Sequence, residues 1–216
     1  MAQYFQIHPT HPQPRLIKRA VEIVRAGGVI VYPTDSSYAL GCHLGDKGAM
    51  ERIRRIRRLD DDHNFTLVCR DLSELAQYAR VTNSDFRLLK AHTPGPYTFI
   101  LSATREVPRR LQHFKRKTIG LRVPDHAVSR ALLAELNEPL MSVTLIMPGE
   151  ELPLADPEQI RARLEHDVEL VIDGGFCGTE PTTVVVLENG VATVTRFGKG
   201  DPAPFGGLTL PAKGVA

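Results

Sequence analysis

The feature that most constrains the fold is a repeated switch between two hydrophobic patterns, helical spacing and short continuous apolar runs. In residues 15–25 the apolar side chains occupy positions i, i+3, i+4 and i+7, which lie on one face of a helix. These side chains are Ile17, Ala20, Val21 and Val24. Pro14 suits the first turn of that helix, and Gly27 with Gly28 suits its end. The apolar run 29–32 that follows is typical of a buried strand.

The same two patterns alternate along the rest of the chain. Helices are predicted over residues 46–58, 72–78, 84–91, 127–136 and 156–164. Strands are predicted over residues 65–69, 97–101, 118–123, 140–147, 168–172, 184–187 and 191–195. The alternation predicts a single α/β domain, in which a twisted mixed sheet is flanked by helices. We expect residues 1–14 to form an N-terminal arm, residues 15–201 the domain, and residues 202–216 a flexible tail.

Composition excludes several classes of protein. Lys and Arg number 27 against 25 Asp and Glu, so a formal charge of +2 excludes a chain that holds nucleic acid by bulk charge, but not one with a local basic patch. The sequence lacks a secretory signal pattern and an apolar run of roughly 18 residues, so we expect no membrane segment. Three cysteines without a CxxC pair predict reduced thiols in a cytoplasmic protein. Because histidines and cysteines are scattered, no metal site is predicted.

Hydroxyl and carboxylate side chains crowd residues 31–41, at the carboxyl end of the first predicted strand. The segment contains Thr34, Asp35, Ser36 and Ser37. Ligands bind at the carboxyl ends of strands in open α/β sheets, so this segment is a candidate binding site. An ordinary polar turn is an equally good interpretation of the same residues.

Two segments are rich in basic residues. Five arginines on the predicted helix 46–58 could bind phosphate oxygens in pairs, or could form a solvated face that compensates the helix dipole. They are Arg52, Arg54, Arg55, Arg57 and Arg58, and Asp60, Asp61 and Asp62 follow them. The loop 109–117 surrounds Phe114 with basic residues and could follow a phosphate backbone, or could be an ordinary solvated loop.

Arg122 stands out because it lies in an otherwise apolar strand. Its spacing of four from Thr118 places both side chains on the same face of that strand. A buried arginine requires an anion. The partner could be a carboxylate of the chain, such as Asp35 or Asp173, or the carboxylate of a ligand.

Taken together, these segments resemble the YciO/YrdC family, whose best-known members make threonylcarbamoyl-adenylate for a tRNA modification. Residues 32–41 are similar to the family's PTETxYGLG segment, and residues 94–101 to its PGPxTLIL segment. Residues 120–126 are similar to vRxPxH, and residues 181–185 with Arg196 to PSTVV and the arginine that follows it. Residues 7–9 and 63–71 resemble the YciO branch.

The resemblance implies a mixed α/β sheet with a concave, positively charged cavity. It also implies an enzyme similar to L-threonylcarbamoyladenylate synthase, a nucleotidyltransferase that combines ATP, L-threonine and bicarbonate and releases pyrophosphate. ATP would then be a substrate, accompanied by Mg²⁺. Partners implied by the family include tRNA and double-stranded RNA.

The resemblance also implies roles for individual residues. Thr34 and Arg122 match residues that hold threonine. The positions that match the nucleotide and phosphate side are Arg55, Arg57, Thr118, Ser142, Thr144 and Arg196. No residue of this chain is thereby assigned a catalytic role.

Three positions depart from the family pattern. Arg55 replaces a lysine, Cys69 replaces a histidine near threonine, and Thr144 replaces the asparagine of an SxN motif. We therefore expect a protein that binds nucleotide and RNA and handles threonylcarbamoyl-adenylate or a related acyl-adenylate, with weak synthesis or with hydrolysis. The alternative is a non-catalytic module that binds double-stranded RNA or tRNA.

Overall fold

The computed structural model describes residues 1–60, 63, 65–113 and 115–206. The helices are α1 (Pro14–Arg25), α2 (Lys47–Arg57), α3 (Leu72–Tyr78), α4 (Asn83–His92), α5 (Ala127–Leu136) and α6 (Pro157–Leu164). The strands are β1 (Gln3–Gln6), β2 (Ile30–Pro33), β3 (Tyr38–His43), β4 (Thr66–Val68), β5 (Tyr97–Ser102), β6 (Thr118–Arg122), β7 (Leu140–Thr144), β8 (Leu170–Asp173), β9 (Thr183–Glu188) and β10 (Val191–Arg196). Short 3-10 turns cover Arg109–Leu111 and Ala203–Phe205.

All these strands form one mixed sheet in the order β1-β8-β2-β3-β7-β4-β6-β5-β9-β10. The sheet contains both parallel pairs, such as β4 with β6, and antiparallel pairs, such as β3 with β7. The predicted fold, a single mixed sheet with flanking helices, is confirmed.

The helices begin where the sequence predicts, because short polar side chains satisfy their first free amides. Asp46 and Asp71 each accept the amide three residues on, at 2.9 Å. Asp156 accepts the amide two residues on, at 3.0 Å. Pro14 and Pro157 occupy first-turn positions, where their missing N–H costs nothing.

Two strands lie in segments for which the sequence predicts other structure. Within the predicted arm, β1 pairs in parallel with β8 and forms an edge of the sheet. In the strand-and-loop segment 31–41, only residues 34–37 form a turn, and β3 then returns beside β2. Neither strand alternates clearly between apolar and polar residues, since β1 is short and β3 is buried along most of its length.

The first residues of the predicted tail contact the domain. Phe205 is buried and packs against His92 and Tyr97, with ring centroids 4.7 and 5.4 Å apart. The tail is therefore anchored to β5 as far as Phe205. Residues 207–216 lie outside the described part of the chain.

The two faces of the sheet are covered differently. One face packs along its whole width into a cluster that includes apolar residues of α2, α3, α4 and α6. The other face packs against α1 and α5 only from β8 to β4, through residues such as Ile30, Ala39, Leu140 and Val68. In the described chain, the α1–α5 cluster includes no residue of β5, β6, β9 or β10.

Candidate functional site

The part of the sheet face beyond α1 and α5 is lined with hydroxyl side chains. Strand register places paired residues on the same face, so Thr66, Ser142 and Gly120 face the same way. The same pairing rule, applied to the neighbouring strands, identifies the other residues that lie on this face. The hydroxyl residues of this open face are Thr66, Thr98, Ser102, Thr118, Ser142, Thr144 and Thr193. Ile100, Val184 and Val186 lie among them and are half-buried.

The turn after β2 is held by one threonine side chain. Thr34 Oγ1 accepts hydrogen bonds from the amides of Ser36 and Ser37, at 3.3 and 3.2 Å, and donates to the Ser37 carbonyl at 2.6 Å. Hydroxyl side chains commonly stabilise turns in this way. The interpretation as a polar turn is therefore correct for residues 34–37. The turn is nevertheless buried, unlike an ordinary surface turn.

Arg122 reaches this turn from β6. Its Nη2 donates to Ser36 Oγ at 3.0 Å, to Thr34 Oγ1 at 3.2 Å and to Asp35 Oδ1. β2 and β6 are four strand spacings apart in the sheet, which is about 19 Å if the sheet were flat. Because an arginine side chain cannot span that distance, the sheet must curve and the turn must lean across its concave face.

The expected partner of Arg122 is thus identified. Asp35 forms a buried ion pair with Arg122. Asp173, the other carboxylate considered, instead accepts a hydrogen bond from the Tyr4 hydroxyl at 2.9 Å. Thr34 and Arg122, which the resemblance assigns to the same ligand, are in direct contact.

Further cations gather around this ion pair. Arg196 donates to the Thr182 carbonyl at 2.9 Å and to the Thr182 hydroxyl at 3.0 Å. Desolvation, and then the charge of Arg122, lower the pKa of Arg196 from its ordinary value. Lys199 Nζ donates to the Asp35 carbonyl. Two further cationic side chains therefore lie near this ion pair, and such a cluster favours an anionic ligand.

His126, the histidine of the vRxPxH-like segment, lies in the field of the same ion pair. Its Nδ1 is buried without a hydrogen-bond partner among the described residues. Desolvation lowers the pKa of His126 from 6.5, while the charges of Asp35 and Arg122 act in opposite directions. The imidazole is therefore neutral at neutral pH.

The hydroxyls assigned to the nucleotide side differ in how strongly they are engaged. Ser142 accepts from the Tyr32 hydroxyl at 2.8 Å and donates to the Leu40 carbonyl at 3.0 Å. Thr118 and Thr144 are half-buried, and their side chains make no hydrogen bond within the described chain. Thr118 and Thr144 can therefore bind a ligand without breaking a bond of the fold, whereas the Ser142 hydroxyl already has a structural role.

The arginines of α2 separate into two groups. Arg52 binds Glu169 and the Gly27 carbonyl, and Arg54 lies over the Phe65 ring at 5.6 Å, so both stabilise the fold. The guanidinium groups of Arg55 and Arg57 make no hydrogen bond or ion pair with any described residue. Arg55 is exposed, and desolvation lowers the pKa of Arg57. No described contact joins Arg55 or Arg57 to Arg122, and Asp61 and Asp62, which follow α2, lie outside the described residues.

The basic loop before β6 is only partly exposed. Arg110 reaches back to the Gly45 carbonyl, and His113 Nδ1 accepts the amides of Lys115 and Arg116. The side chains of residues 115–117 are exposed next to Thr118. Phe114, the aromatic residue of this loop, lies outside the described part of the chain.

Cys69 has a direct structural link to Arg122. Its amide donates to the Arg122 carbonyl at 2.8 Å, and burial raises the pKa of its thiol well above the ordinary value. A thiol that stays protonated cannot act as a base or a nucleophile. Cys42 and Cys177 are also buried free thiols.

Among residues 1–60, 63, 65–113 and 115–206, no cluster of three or more His, Cys, Asp or Glu side chains could hold a metal ion. None of the helices there is long and apolar enough to cross a membrane.

A separate cavity of about 410 Å³ lies on the other side of the β6 terminus. Val123 lines it, together with Phe86 and the cationic residues Lys90 and Arg130. None of the residues that the resemblance assigns to threonine or nucleotide lines this cavity. It is therefore distinct from the open face.

Sequence reasoning overlooked several members of the site. Ser36 and Thr182 contact Arg122 and Arg196 and lie in segments that the sequence singles out, 31–41 and 181–185, but neither was assigned to the site. Lys199 reaches the turn, and nothing local in the sequence marks it. Thr66 and Thr98 could have been recognised, because each is a polar residue at an alternating position in an otherwise apolar strand.

Comparisons with known proteins agree with this geometry. The Sua5/YciO/YrdC family model, described as telomere recombination, matches residues 22–198. The YciO protein of Escherichia coli K12 is 60% identical over 205 residues, covering 95% of this chain and 100% of that protein. A threonylcarbamoyl-AMP synthase of Chromobacterium violaceum is 32% identical over 184 residues, covering 84% of this chain and 94% of the synthase.

Solved structures support the same relationship. The crystal structure of Escherichia coli YciO has a TM-score of 0.92, covering 95% of this chain and 100% of YciO. The fold is also that of P. abyssi Sua5 complexed with L-threonine, at 22% identity and a TM-score of 0.82, over 90% of this chain and 57% of Sua5. On the extent of these matches, the chain belongs to the Sua5/YciO/YrdC family, which includes threonylcarbamoyl-AMP synthases and is thereby related to tRNA modification.

Proposed function

We propose that this protein binds ATP and L-threonine and handles threonylcarbamoyl-adenylate, or a related acyl-adenylate, in the threonylcarbamoyl modification of tRNA. The observation that carries the proposal is the contact of Arg122 with the buried turn 34–37, beside the open hydroxyl face. One end of this cavity suits a carboxylate, and its floor suits a ribose or a base edge. P. abyssi Sua5, which has the same fold, was solved in complex with L-threonine.

In this proposal each group of residues has a distinct task. Arg122 and the turn bearing Thr34 hold the amino acid, while Thr118, Ser142 and Thr144 line the nucleotide side. Arg196, Arg55 and Arg57 neutralise phosphate charge (the last two only if a ligand brings α2 and the open face together). Mg²⁺ enters with ATP and is held chiefly by its phosphates, as is usual for this ion.

Ligand binding should survive the departures from the family pattern better than synthesis does. Binding is spread over several contacts, whereas rate depends on the few donors placed where charge develops, and losing one costs about 10²–10³ in turnover. Cys69 offers a buried, protonated thiol where the synthases carry a histidine. Thr144 offers a hydroxyl where they carry an amide. Synthesis by this protein is therefore slow.

Pyrophosphate release tests this proposal, with ATP, L-threonine and bicarbonate each omitted in turn. We expect measurable ATP binding and a turnover far below that of a threonylcarbamoyl-AMP synthase assayed in parallel. The double variant Cys69→His/Thr144→Asn should raise the rate more than the two single variants combined, because neighbouring pocket residues are not additive. AMP release from added threonylcarbamoyl-adenylate tests hydrolysis. Wild-type synthesis as fast as that of the parallel synthase would contradict the proposal.

The second candidate function is a non-catalytic module that binds double-stranded RNA or tRNA. It is supported by three consecutive exposed cations, Lys115, Arg116 and Lys117, which lead directly into the open face at Thr118. Phosphate contacts make RNA affinity fall steeply with salt, with a slope that scales with the number of contacts. Replacing Lys115 and Arg116 by glutamine should reduce that slope. RNA binding with no detectable ATP binding would favour this candidate over the enzyme.

A further inference from the structure

The separate cavity that Val123 lines, hereafter the Val123 cavity, belongs neither to the open face nor to the ion pair of Arg122. The start of α3, the second half of α4 and the first turn of α5 border it, where they meet the end of β6. Its volume of about 410 Å³ lies within the range of roughly 300–1,000 Å³ that is usual for cavities that bind small organic molecules.

Part of the wall of the Val123 cavity is hydrocarbon. The apolar residues that contribute to it are Leu72, Phe86, Pro94 and Val123. Phe86 is 44% exposed, although most large apolar side chains of the described chain are buried. Cavities that bind small molecules typically combine such an apolar wall with a few charged groups. A simple inorganic ion would leave this wall in contact with water, so the ligand must carry an apolar group.

The charged groups of the cavity are mainly positive. Arg70, Lys90 and Arg130 line it, together with a single carboxylate, that of Asp71. This carboxylate is already engaged, since its oxygens accept the Glu74 amide at 2.9 Å and Arg70 Nε at 3.1 Å. Because Arg70 offsets the charge of Asp71, Lys90 and Arg130 remain to attract an anion.

Neither Lys90 nor Arg130 is strongly neutralised by the fold. Lys90 is exposed and makes no hydrogen bond or ion pair with any residue in the described part of the chain. Arg130 lies 3.4 Å from Asp125, but both side chains are more than half exposed, and exposed pairs of this kind are weak. Both cations can therefore bind a carboxylate or phosphate group without breaking a strong interaction of the fold.

Phe86 and Lys90 are four residues apart on one face of α4, and both line the cavity. A single ligand can therefore contact the Phe86 ring and the Lys90 ammonium at the same time. Aromatic pairs contribute more than their buried area alone, so the apolar group that suits Phe86 best is another ring. We propose that the Val123 cavity binds a small aromatic anion, whose ring packs against Phe86 and whose carboxylate or phosphate group is bound by Lys90 and Arg130.

The position of the cavity makes it a second site and not a part of the first. The Arg122 side chain reaches the 34–37 turn, whereas Val123, the next residue, lines the cavity on the other side of the strand end. Residues of the open face such as Thr66 and Thr118 do not line the cavity. The inference therefore goes beyond the proposed function and does not depend on it.

Proton–nitrogen correlation spectra of the full chain give the first test, with four probes. Naphthyl phosphate and naphthoate are aromatic anions, naphthol lacks the charge, and inorganic phosphate lacks the ring. We expect the two aromatic anions to shift the amides of Leu72, Phe86 and Val123 in a saturable manner. They should bind at least about fivefold more tightly than naphthol or inorganic phosphate, which corresponds to about 1 kcal/mol for the missing charge or ring contact. The tighter of the two identifies the preferred anionic group.

The second test removes the charges and the ring from the protein. The double variant Lys90→Gln/Arg130→Gln should weaken naphthyl phosphate binding by about fivefold or more, and leave naphthol binding unchanged. Phe86→Ala should weaken both of these ligands. Arg87→Gln is the matched control, since Arg87 is an exposed cation of α4 that does not line the cavity, and it should leave both affinities unchanged.

Four results would overturn the inference. Naphthol binding as tight as that of the aromatic anions would show that the cations take no part. Inorganic phosphate binding as tight as that of naphthyl phosphate would mean an adventitious ion only. Amide shifts confined to the open face, around Thr66 and Thr118, would place the probes in the first site. Unchanged naphthyl phosphate affinity in both variants would remove the assigned residues.

These measurements do not involve pyrophosphate release, so the inference and the proposed function succeed or fail separately. If melting temperatures show that the variants do not fold, the four probes on the wild-type protein decide alone.

Discussion

Two halves of one sheet face have opposite chemistry in this protein. The half beneath α1 and α5 is lined by apolar side chains such as Ile30 and Leu140. The half extending to β9 and β10 carries half-buried threonines on the same side of their strands, namely Thr66, Thr118 and Thr193. The opposite face of the sheet is mostly apolar.

This difference shows how the fold separates stability from binding. Threonine is a good strand residue because it is β-branched, so the strands of the open half keep their propensity while presenting hydroxyls. Helices α1 and α5 do not cover the part of the face that carries those hydroxyls, so the open half stays accessible to a ligand. Arg122 and Asp35 lie at the boundary, where a turn crosses the concave face.

The largest effect is expected at that boundary. Arg122→Met would leave Asp35 buried without its partner, and breaking a buried pair costs about 3–5 kcal/mol in the free energy of unfolding. Chemical denaturation measures this loss. The control is Arg130→Met, because the exposed pair of Arg130 with Asp125 contributes at most about 1 kcal/mol. Equal stability of the two variants would mean that the Arg122 pair is not a structural element.

The next largest effect is a difference between the two halves in the free energy of unfolding that is lost when a side chain is truncated. Leu140→Ala, in the covered half, removes a side chain that is 2% exposed and should cost about 2–5 kcal/mol by leaving a cavity. Ile100→Ala, in the open half, should cost about 1 kcal/mol, because that side chain is only partly buried and loses less on truncation. Denaturant unfolding of both variants gives the comparison. If Ile100→Ala is as costly as Leu140→Ala, the open half is part of the core.

A smaller effect is expected from pH. The pKa of His126 is lowered in the folded protein, mainly by desolvation, so the unfolded chain binds its proton more readily than the folded one. The free energy of unfolding therefore decreases as pH falls through the ordinary value of 6.5 toward the lowered pKa. Melting temperatures of wild type and His126→Gln over this interval test the prediction. The variant should lose less stability, and parallel curves would show that other groups cause the acid sensitivity.

The smallest effect on stability is expected in the open half. Thr118→Val keeps the shape and strand propensity of the residue, so stability should change by less than about 0.5 kcal/mol. ATP affinity should nevertheless fall, because the variant removes a free hydroxyl from the nucleotide side. Thr195→Val, at the half-buried end of β10, serves as a control outside the assigned positions. Unchanged ATP binding by Thr118→Val would remove Thr118 from the site.

Much of the fold was predictable because its signals are local. Asp46, Asp71 and Asp156 mark helix starts through bonds that span only two or three residues. The Arg122 prediction also held, since a lone arginine in an apolar strand requires a buried anion wherever the strand lies. The two missed strands, β1 and β3, have no clear alternation of their own and exist because neighbouring strands offer them hydrogen bonds.

The site was predictable only in part, because it is assembled from distant strands. Sequence similarity selects Thr34, Arg122 and Arg196, but it does not reveal that Thr182 engages Arg196 or that Lys199 reaches the 34–37 turn. The phosphate-binding role of Arg55 and Arg57 remains a prediction, because no described contact connects them to the open sheet face.

By itself, the sequence determined an α/β domain, the starts of its helices, and the requirement of Arg122 for an anion. These properties depend on spacing within a few residues and on the cost of burying a charge. Only the tertiary structure decided that Asp35 is that anion and which threonines lie on the open part of the sheet face. The reason is that strand order and sheet curvature bring together residues 87 positions apart, and no local pattern encodes that distance.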